Sequence, residues 1–252
     1  MESKFDVLVI GSGLGGLVSA RLLQMKGYRV AILEKNRQFG GALQIFVRKK
    51  AIHDTGVHYL GGLAPGQNLH QYFKYCGILK DLELRQLNKN AFDKISFEND
   101  EKIYSIPQGY LRFADELKIF YPHEKEAIDQ YCSKIKTISL ETPVYNLKPF
   151  TPGVISPYLN VGLFDYLNSI TKNQKLIEVL MGNNLLYIGE KHKTSLYEHA
   201  LIVNSYIQSA WKCVDGGAQI ANALVKKLKE GGAFVKNYAE VESIELNSDK
   251  KA

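Results

Sequence analysis

Val7-Leu8-Val9-Ile10-Gly11-Ser12-Gly13-Leu14-Gly15-Gly16 sets an apolar run directly against a glycine cluster. Four β-favouring residues in a row predict a parallel strand buried on both faces. After the glycines, Leu14, Leu17, Val18, Leu22 and Met25 recur at helical spacing. Gly27 then stands where a C′ glycine belongs, and Arg29 to Leu33 reads as a second strand. The stretch is a βαβ unit. Gly11 serves the tight turn, Gly13 close backbone approach to a pyrophosphate, and Gly16 close packing of helix on strand. The pyrophosphate is expected at the helix N-terminus, where free N–H groups and the dipole favour an anion. Glu34 stands 18 positions beyond Gly16, where an acid that binds a ribose hydroxyl is expected. Strand, glycines, helix, strand and acid in that order predict dinucleotide binding.

At 252 residues, with a hydrophobic fraction of 45% and a charged fraction of 23%, the chain has a globular composition that excludes disordered and fibrous classes. No apolar run reaches the ~18 residues of a spanning helix, and the first strand begins too early to follow a signal peptide. These features predict a cytoplasmic location. Cys76, Cys132 and Cys213 are far apart and predict reduced packing residues. The net charge of +6 is scattered apart from Arg48-Lys49-Lys50 and Lys226-Lys227, without the aromatic interleaving of a nucleic-acid surface. Nucleic acid is therefore not an expected partner, whereas peripheral attraction to an anionic membrane is compatible with the charge.

Beyond Lys35, Gly40-Gly41 precedes two short strands, Gln44 to Val47 and Ala51-Ile52, flanking the basic turn. Next comes Asp54-Thr55-Gly56-Val57-His58-Tyr59-Leu60-Gly61. Phe92 to Ile106 predicts a hairpin turning at Asn99-Asp100, and Glu124 to Ile138 a helix. Prolines and glycine from Pro143 to Pro157 mark a loop or a domain crossing, and Leu176 to Met181 a helix capped by Thr171 and ended by Gly182. From Ser195 the residues Leu196, His199, Ala200, Val203 and Ile207 form one helical face, with His199 read as a core histidine. Gly216-Gly217 opens another helix, Gly231-Gly232 ends it, and strands are expected at Ala233 to Lys236 and Val241 to Leu246.

The glycine doublet beyond the acid, the hairpin and the Asp54 to Gly61 stretch are together similar to FAD enzymes of the glutathione-reductase type. More narrowly they resemble the amine oxidase and phytoene desaturase superfamily, and most closely its retinol saturase and carotenoid desaturase/isomerase branch. The resemblance covers residues 5–62 and 195–246, and the middle only in its general run of elements. It implies an α/β fold: a Rossmann-like FAD-binding domain with an inserted α+β substrate domain. The first part of the FAD domain is expected at 1–68, the insert at 69–204 and the return segment at 205–252. It implies FAD contacts from Gly11, Ser12, Gly13, Leu14, Gly15 and Gly16, from Glu34 and Lys35, from Gly41 and Ala42, and from Gly56, His58 and Tyr59. Val241 is expected to meet the adenine through its backbone. Ala42 stands where relatives often carry arginine, which leaves backbone N–H groups and the helix dipole to hold the pyrophosphate.

The activity implied is hydride transfer between flavin and a carbon–carbon bond of an apolar polyene or isoprenoid substrate, carotenoid or retinol in type. His58 is the candidate for acid–base work or positioning beside the ring. No metal is expected, because His53, Asp54 and His58 lie on one short turn without a fourth ligand nearby. Family members continue into a further glycine-rich segment covering the ring. The resemblance therefore implies a fragment, an early-terminated product or half of a split protein that a second polypeptide completes. The alternatives to the saturase reading are a non-catalytic or split FAD-binding fragment and, further off, an amine oxidase.

Overall fold

The computed structural model describes residues 5–149, 151–153, 155–187 and 189–246. Its strands are β1 (Val7–Ile10), β2 (Val30–Leu33), β3 (Ile45–Arg48), β4 (Ala51–Asp54), β5 (Leu60–Gly61), β6 (Leu84–Gln86), β7 (Asp93–Phe97), β8 (Asp100–Ile106), β9 (Ala210–Cys213) and β10 (Phe234–Lys236). Its helices are α1 (Leu14–Met25), α2 (Asn68–Cys76), α3 (Tyr110–Phe120), α4 (Lys125–Glu141), α5 (Leu163–Ile170), α6 (Gln174–Leu180), α7 (Leu196–Gln208) and α8 (Ala218–Glu230). They form two compact units: Met1–Tyr59 with Tyr72–Arg85 and Lys212–Ala252, and Leu60–Gln71 with Gln86–Trp211. The bipartite α/β architecture expected from the sequence is the one observed.

In the first unit β1 and β10 flank β2, both parallel to it, with Val7 opposite Val30 and Phe234 opposite Ala31. Val30, Ala31 and Ile32 of β2 are buried, as a strand with neighbours on both sides should be. Burial of β1 on both faces was expected and is not found: Leu8 and Ile10 are 50% and 51% exposed. Among the described residues strand β1 is bonded only to β2, and Val9 turns towards Gly16 of α1 while Leu8 and Ile10 face the other way. Helices α1 and α8 pack together, Leu17, Ala20, Ala221 and Leu224 are buried, and Gln24 Nε2 donates to the Leu228 carbonyl (2.6 Å). Antiparallel β3 and β4 form the expected hairpin, but its turn is the two residues Lys49-Lys50, because Arg48, expected in the turn, still pairs with Ala51. Residues 241–246 do not form the expected strand: among the described residues they pair with no other strand, and β10 is left as the edge of the sheet.

The second unit is organised on α4 and α7. Ile128, Tyr131, Ile135 and Ile138 recur at helical spacing on α4 and pack with Leu196, Ala200, Val203 and Ile207 of α7 in one core. Ser195 caps α7 by accepting from Glu198 N (3.0 Å), the favoured Ser-x-x-Glu spacing. The β7–β8 hairpin turns at Glu98-Asn99, one residue earlier than expected, with Ile95 opposite Tyr104. Helix α6 is capped by Asn173, which accepts from Leu176 N (3.1 Å); Thr171 ends α5 and donates instead to Glu124 (2.7 Å). Asparagine wins because it stands one residue before the first helical turn. Gly182 opens a 3-10 turn, Gly182–Tyr187, rather than closing the helix outright.

Candidate functional site: a glycine cradle closed by a buried carboxylate

The end of β1 turns at Gly11, whose φ of +89° is costly for any residue with a Cβ. Gly11 N donates to Leu33 O (2.8 Å), holding the loop across the end of β2. A Cβ on Gly16 would stand 2.3 Å from Gly11 O, so this glycine is what lets α1 approach β1. Among the described residues a Cβ on Gly13 or Gly15 would meet nothing within 4 Å. Those two positions leave open space above the first turn of α1, where Leu14, Gly15 and Gly16 have no intrahelical acceptor for their N–H groups. An anion fits there.

The second glycine pair completes the cradle. Gly40 N donates to Ser12 O (3.0 Å) and to Ser12 Oγ (3.2 Å), and Gly40 forms a parallel bridge with Gly13. A Cβ on Gly41 would lie 3.1 Å from Gly13 Cα, and one on Gly40 2.8 Å from Ala221 Cβ. The doublet is needed because two loops and α8 converge. Ala42 packs on Gly56, where an added Cβ would lie 3.2 Å from that of Ala42.

Glu34 is 5% exposed and points at the loop. Its Oε2 accepts from Ser12 N (2.8 Å) and Ser12 Oγ (2.6 Å), and its Oε1 accepts from Asn36 N (2.8 Å). Burial raises the Glu34 carboxyl, but the Ser12 hydroxyl and the Asn36 and Ser12 N–H groups outweigh it and hold the pKa below the ordinary carboxylate value. A ribose hydroxyl is the ligand expected of Glu34 from the sequence; what the structure shows is this carboxylate fastening Ser12. Lys35 is exposed beside it. The returning chain reaches this point through Ala239 N, which donates to Glu34 O (2.9 Å), and Tyr238 N, which donates to Asn36 O (3.4 Å). Val241 lies two residues further on, half-buried.

The 54–59 segment is anchored by Lys212, a residue with no signal in the sequence. Its Nζ donates to Asp54 Oδ2 (2.8 Å) and His58 O (3.1 Å), while Asp54 Oδ1 accepts from Gly217 N at the start of α8 (2.7 Å). Burial raises the Asp54 carboxyl, and the Lys212 ammonium and Gly217 N–H more than offset it, so its pKa falls below the ordinary value. Asp54 is thus a structural anchor. The His58 side chain is exposed, and Tyr59 is half-buried at the end of the segment.

In the second unit His199 is fully buried, as a core histidine should be. Tyr187 OH donates to Asn184 Oδ1, so it receives from His199 Nδ1 (2.7 Å); Nε2 then accepts from Tyr131 OH (2.8 Å). Burial pushes the imidazole pKa down to about 3, which keeps this ring neutral.

A sequence profile of the NAD(P)-binding Rossmann-like domain matches residues 9–76, the span that holds both glycine clusters and Glu34. The chain is 32% identical to an all-trans-retinol 13,14-reductase of Danio rerio over 98% of this chain and 43% of that protein. It is 30% identical to the Homo sapiens protein of the same description over 100% of this chain and 44% of that one. It therefore spans less than half the length of these curated relatives. Among solved structures, an oxidoreductase from Methanosarcina mazei superposes with a TM-score of 0.63 at 18% identity, over 96% of this chain and 53% of that one, a likeness of fold. With the glycine cradle, the acid at the end of β2 and these relatives in agreement, the chain shows a family-level match to the FAD-binding Rossmann-fold oxidoreductases, which supports FAD as its cofactor type.

Proposed function

We propose that this chain carries the cofactor-binding part of an oxidoreductase that moves hydride between FAD and a carbon–carbon bond of an apolar, isoprenoid-like substrate, retinol or carotenoid in type. The observation that carries the cofactor half is the cradle itself: open space at Gly13 and Gly15, a free helix N-terminus, and Glu34 buried against Ser12. The residues fit a pyrophosphate and a ribose. In this reading Gly11 and Ser12 shape the loop, and the N–H groups from Leu14 to Gly16 at the start of α1 hold the pyrophosphate beside Gly13, aided by Gly41 and Ala42. The free lone pairs of the Glu34 carboxylate and Lys35 meet the ribose, and the Val241 backbone meets the adenine. Bound FAD supplies the hydride acceptor or donor.

The protein's part is orientation and exclusion of water. Lys212 and Gly217 hold Asp54, so Gly56, His58 and Tyr59 are presented on a fixed segment. His58 serves there in acid–base work or positioning. The first unit is assigned to the cofactor and the second to the substrate. The polyene class is supported by the retinol-reducing relatives. The test is anaerobic: the purified protein is loaded with FAD, and the flavin absorption band is followed on mixing with retinoids, carotenoids or amines, starting from either oxidised or reduced flavin. A change with polyenes alone is expected. Response to amines alone assigns the chain to amine oxidation instead, and failure to retain flavin leaves it a non-catalytic or split part.

A further inference from the structure

The β3–β4 hairpin is a two-stranded ribbon exposed on both faces, with every residue from Phe46 to His53 exposed. Phe46, Val47 and Ile52 are 50%, 68% and 45% exposed, although a solvated hairpin has no use for them. Val47 and Ile52 pair across the strands on one face; on the other, Phe46 stacks on His53 with ring centroids 5.2 Å apart. The tip is Arg48-Lys49-Lys50, with φ of +49° at Lys49 and +63° at Lys50. Both central residues are left-handed, the geometry that normally selects Asn-Gly. Two lysines stand where the backbone favours neither.

Along the segment that holds the hairpin the charge has one sign. Residues 35–53 contain Lys35, Arg37, Arg48, Lys49 and Lys50 and no carboxylate. Gln38 Nε2 donates to Ile45 O (3.2 Å) and Gln44 Nε2 to Gln38 O (2.9 Å), which ties the segment bearing Lys35 and Arg37 to the hairpin base. The carboxylates at either end are engaged inward, Glu34 on Ser12 and Asp54 on Lys212 and Gly217. Among the described residues none of the five cations makes an ion pair. Among them, too, no helix is long and apolar enough to cross a membrane.

We infer that this hairpin docks the protein on an anionic lipid surface, with Arg48, Lys49 and Lys50 among the headgroups and Val47, Ile52 and Phe46 at the acyl boundary. Cations flanked by exposed apolar side chains are the signature of interfacial binding. A nucleic acid has no use for the Val47–Ile52 pair, and Phe46 is already stacked. The inference rests on exposure and charge in the first unit and is independent of the substrate proposed above.

The test is co-sedimentation of the full chain with phosphatidylcholine vesicles, with and without phosphatidylserine, at low and high salt. Binding to the phosphatidylserine vesicles that weakens with salt is expected. Lys49→Asn with Lys50→Gly supplies the favoured turn while removing two cations. It should leave thermal stability unchanged or raised, yet weaken vesicle binding by about 25-fold, roughly fivefold per cation. Val47→Thr with Ile52→Thr keeps β-favouring residues and should weaken the salt-resistant part of binding. Equal binding to uncharged vesicles, no response to the turn variant, or tighter binding to duplex DNA than to phosphatidylserine vesicles would each overturn the inference.

Discussion

Ser12 and Glu34 lie 22 positions apart and meet at 2.6 Å, hydroxyl on carboxylate, with Ser12 N on the same oxygen at 2.8 Å. One acid thus shapes the loop expected to hold the pyrophosphate and stands where the ribose is expected. Glu34→Ala should weaken FAD retention at least tenfold and cost about 1–3 kcal/mol, because Ser12 N and Oγ lose a buried acceptor. Flavin titration followed by fluorescence, with urea unfolding alongside, measures both. The Glu34 carboxyl lies below its ordinary 4.5 in the folded protein, so its stabilisation is present above that value and is lost as pH falls through the lower folded value.

The glycines are not equivalent, and alanine substitutions should separate them. Gly16→Ala places a Cβ 2.3 Å from Gly11 O, and Gly41→Ala one 3.1 Å from Gly13 Cα at a φ of +57°. Each should cost about 1–3 kcal/mol. Gly15→Ala meets nothing within 4 Å and should leave the apo fold within about 1 kcal/mol, towards greater stability. Urea midpoints of the three proteins, compared without cofactor, check the ordering.

His199 gives a pH signature. Its folded pKa of about 3 lies below the ordinary 6.5, so the folded chain binds fewer protons between these values than the unfolded one. Stability should fall as pH drops below 6.5, by up to about 1.4 kcal/mol per pH unit. Between pH 6.5 and the ordinary 4.5 of Glu34, this loss belongs to His199 rather than to the carboxylates. His199→Phe should flatten the slope there while costing about 1–3 kcal/mol at neutral pH, since Tyr131 OH loses its acceptor. Adding Tyr131→Phe should recover part of that cost, read from urea midpoints across pH.

Lys212→Met removes the cation from Asp54. The Lys212 side chain is 46% exposed and that of Asp54 is 6% exposed, so the loss should be about 1 kcal/mol rather than the value of a buried pair. Asp54→Ala should cost more, because Gly217 N at the start of α8 also loses its acceptor. Thermal unfolding of both variants at neutral pH tests the order.

Local pattern determined much of this protein. The βαβ unit, the β3–β4 hairpin with its basic turn, α4, α7 capped by Ser195, and α8 between its glycine pairs all follow from periodicity, caps and turns, which act within a few residues. Glu34 was legible because strand and helix lengths fix where β2 ends. Tertiary structure decided what depends on neighbours distant in the chain. Burial of β1 hangs on what covers Leu8 and Ile10, and a strand at 241–246 needs a partner that it does not meet among the described residues. Asp54 stood in the sequence within a family-like stretch, and only the fold shows its partner, Lys212, 158 positions away. Gly40-Gly41 read as a family mark; the fold shows its cause, two loops and a helix meeting where no side chain fits. Sequence pattern encodes what each segment can become, and close packing selects which residues meet.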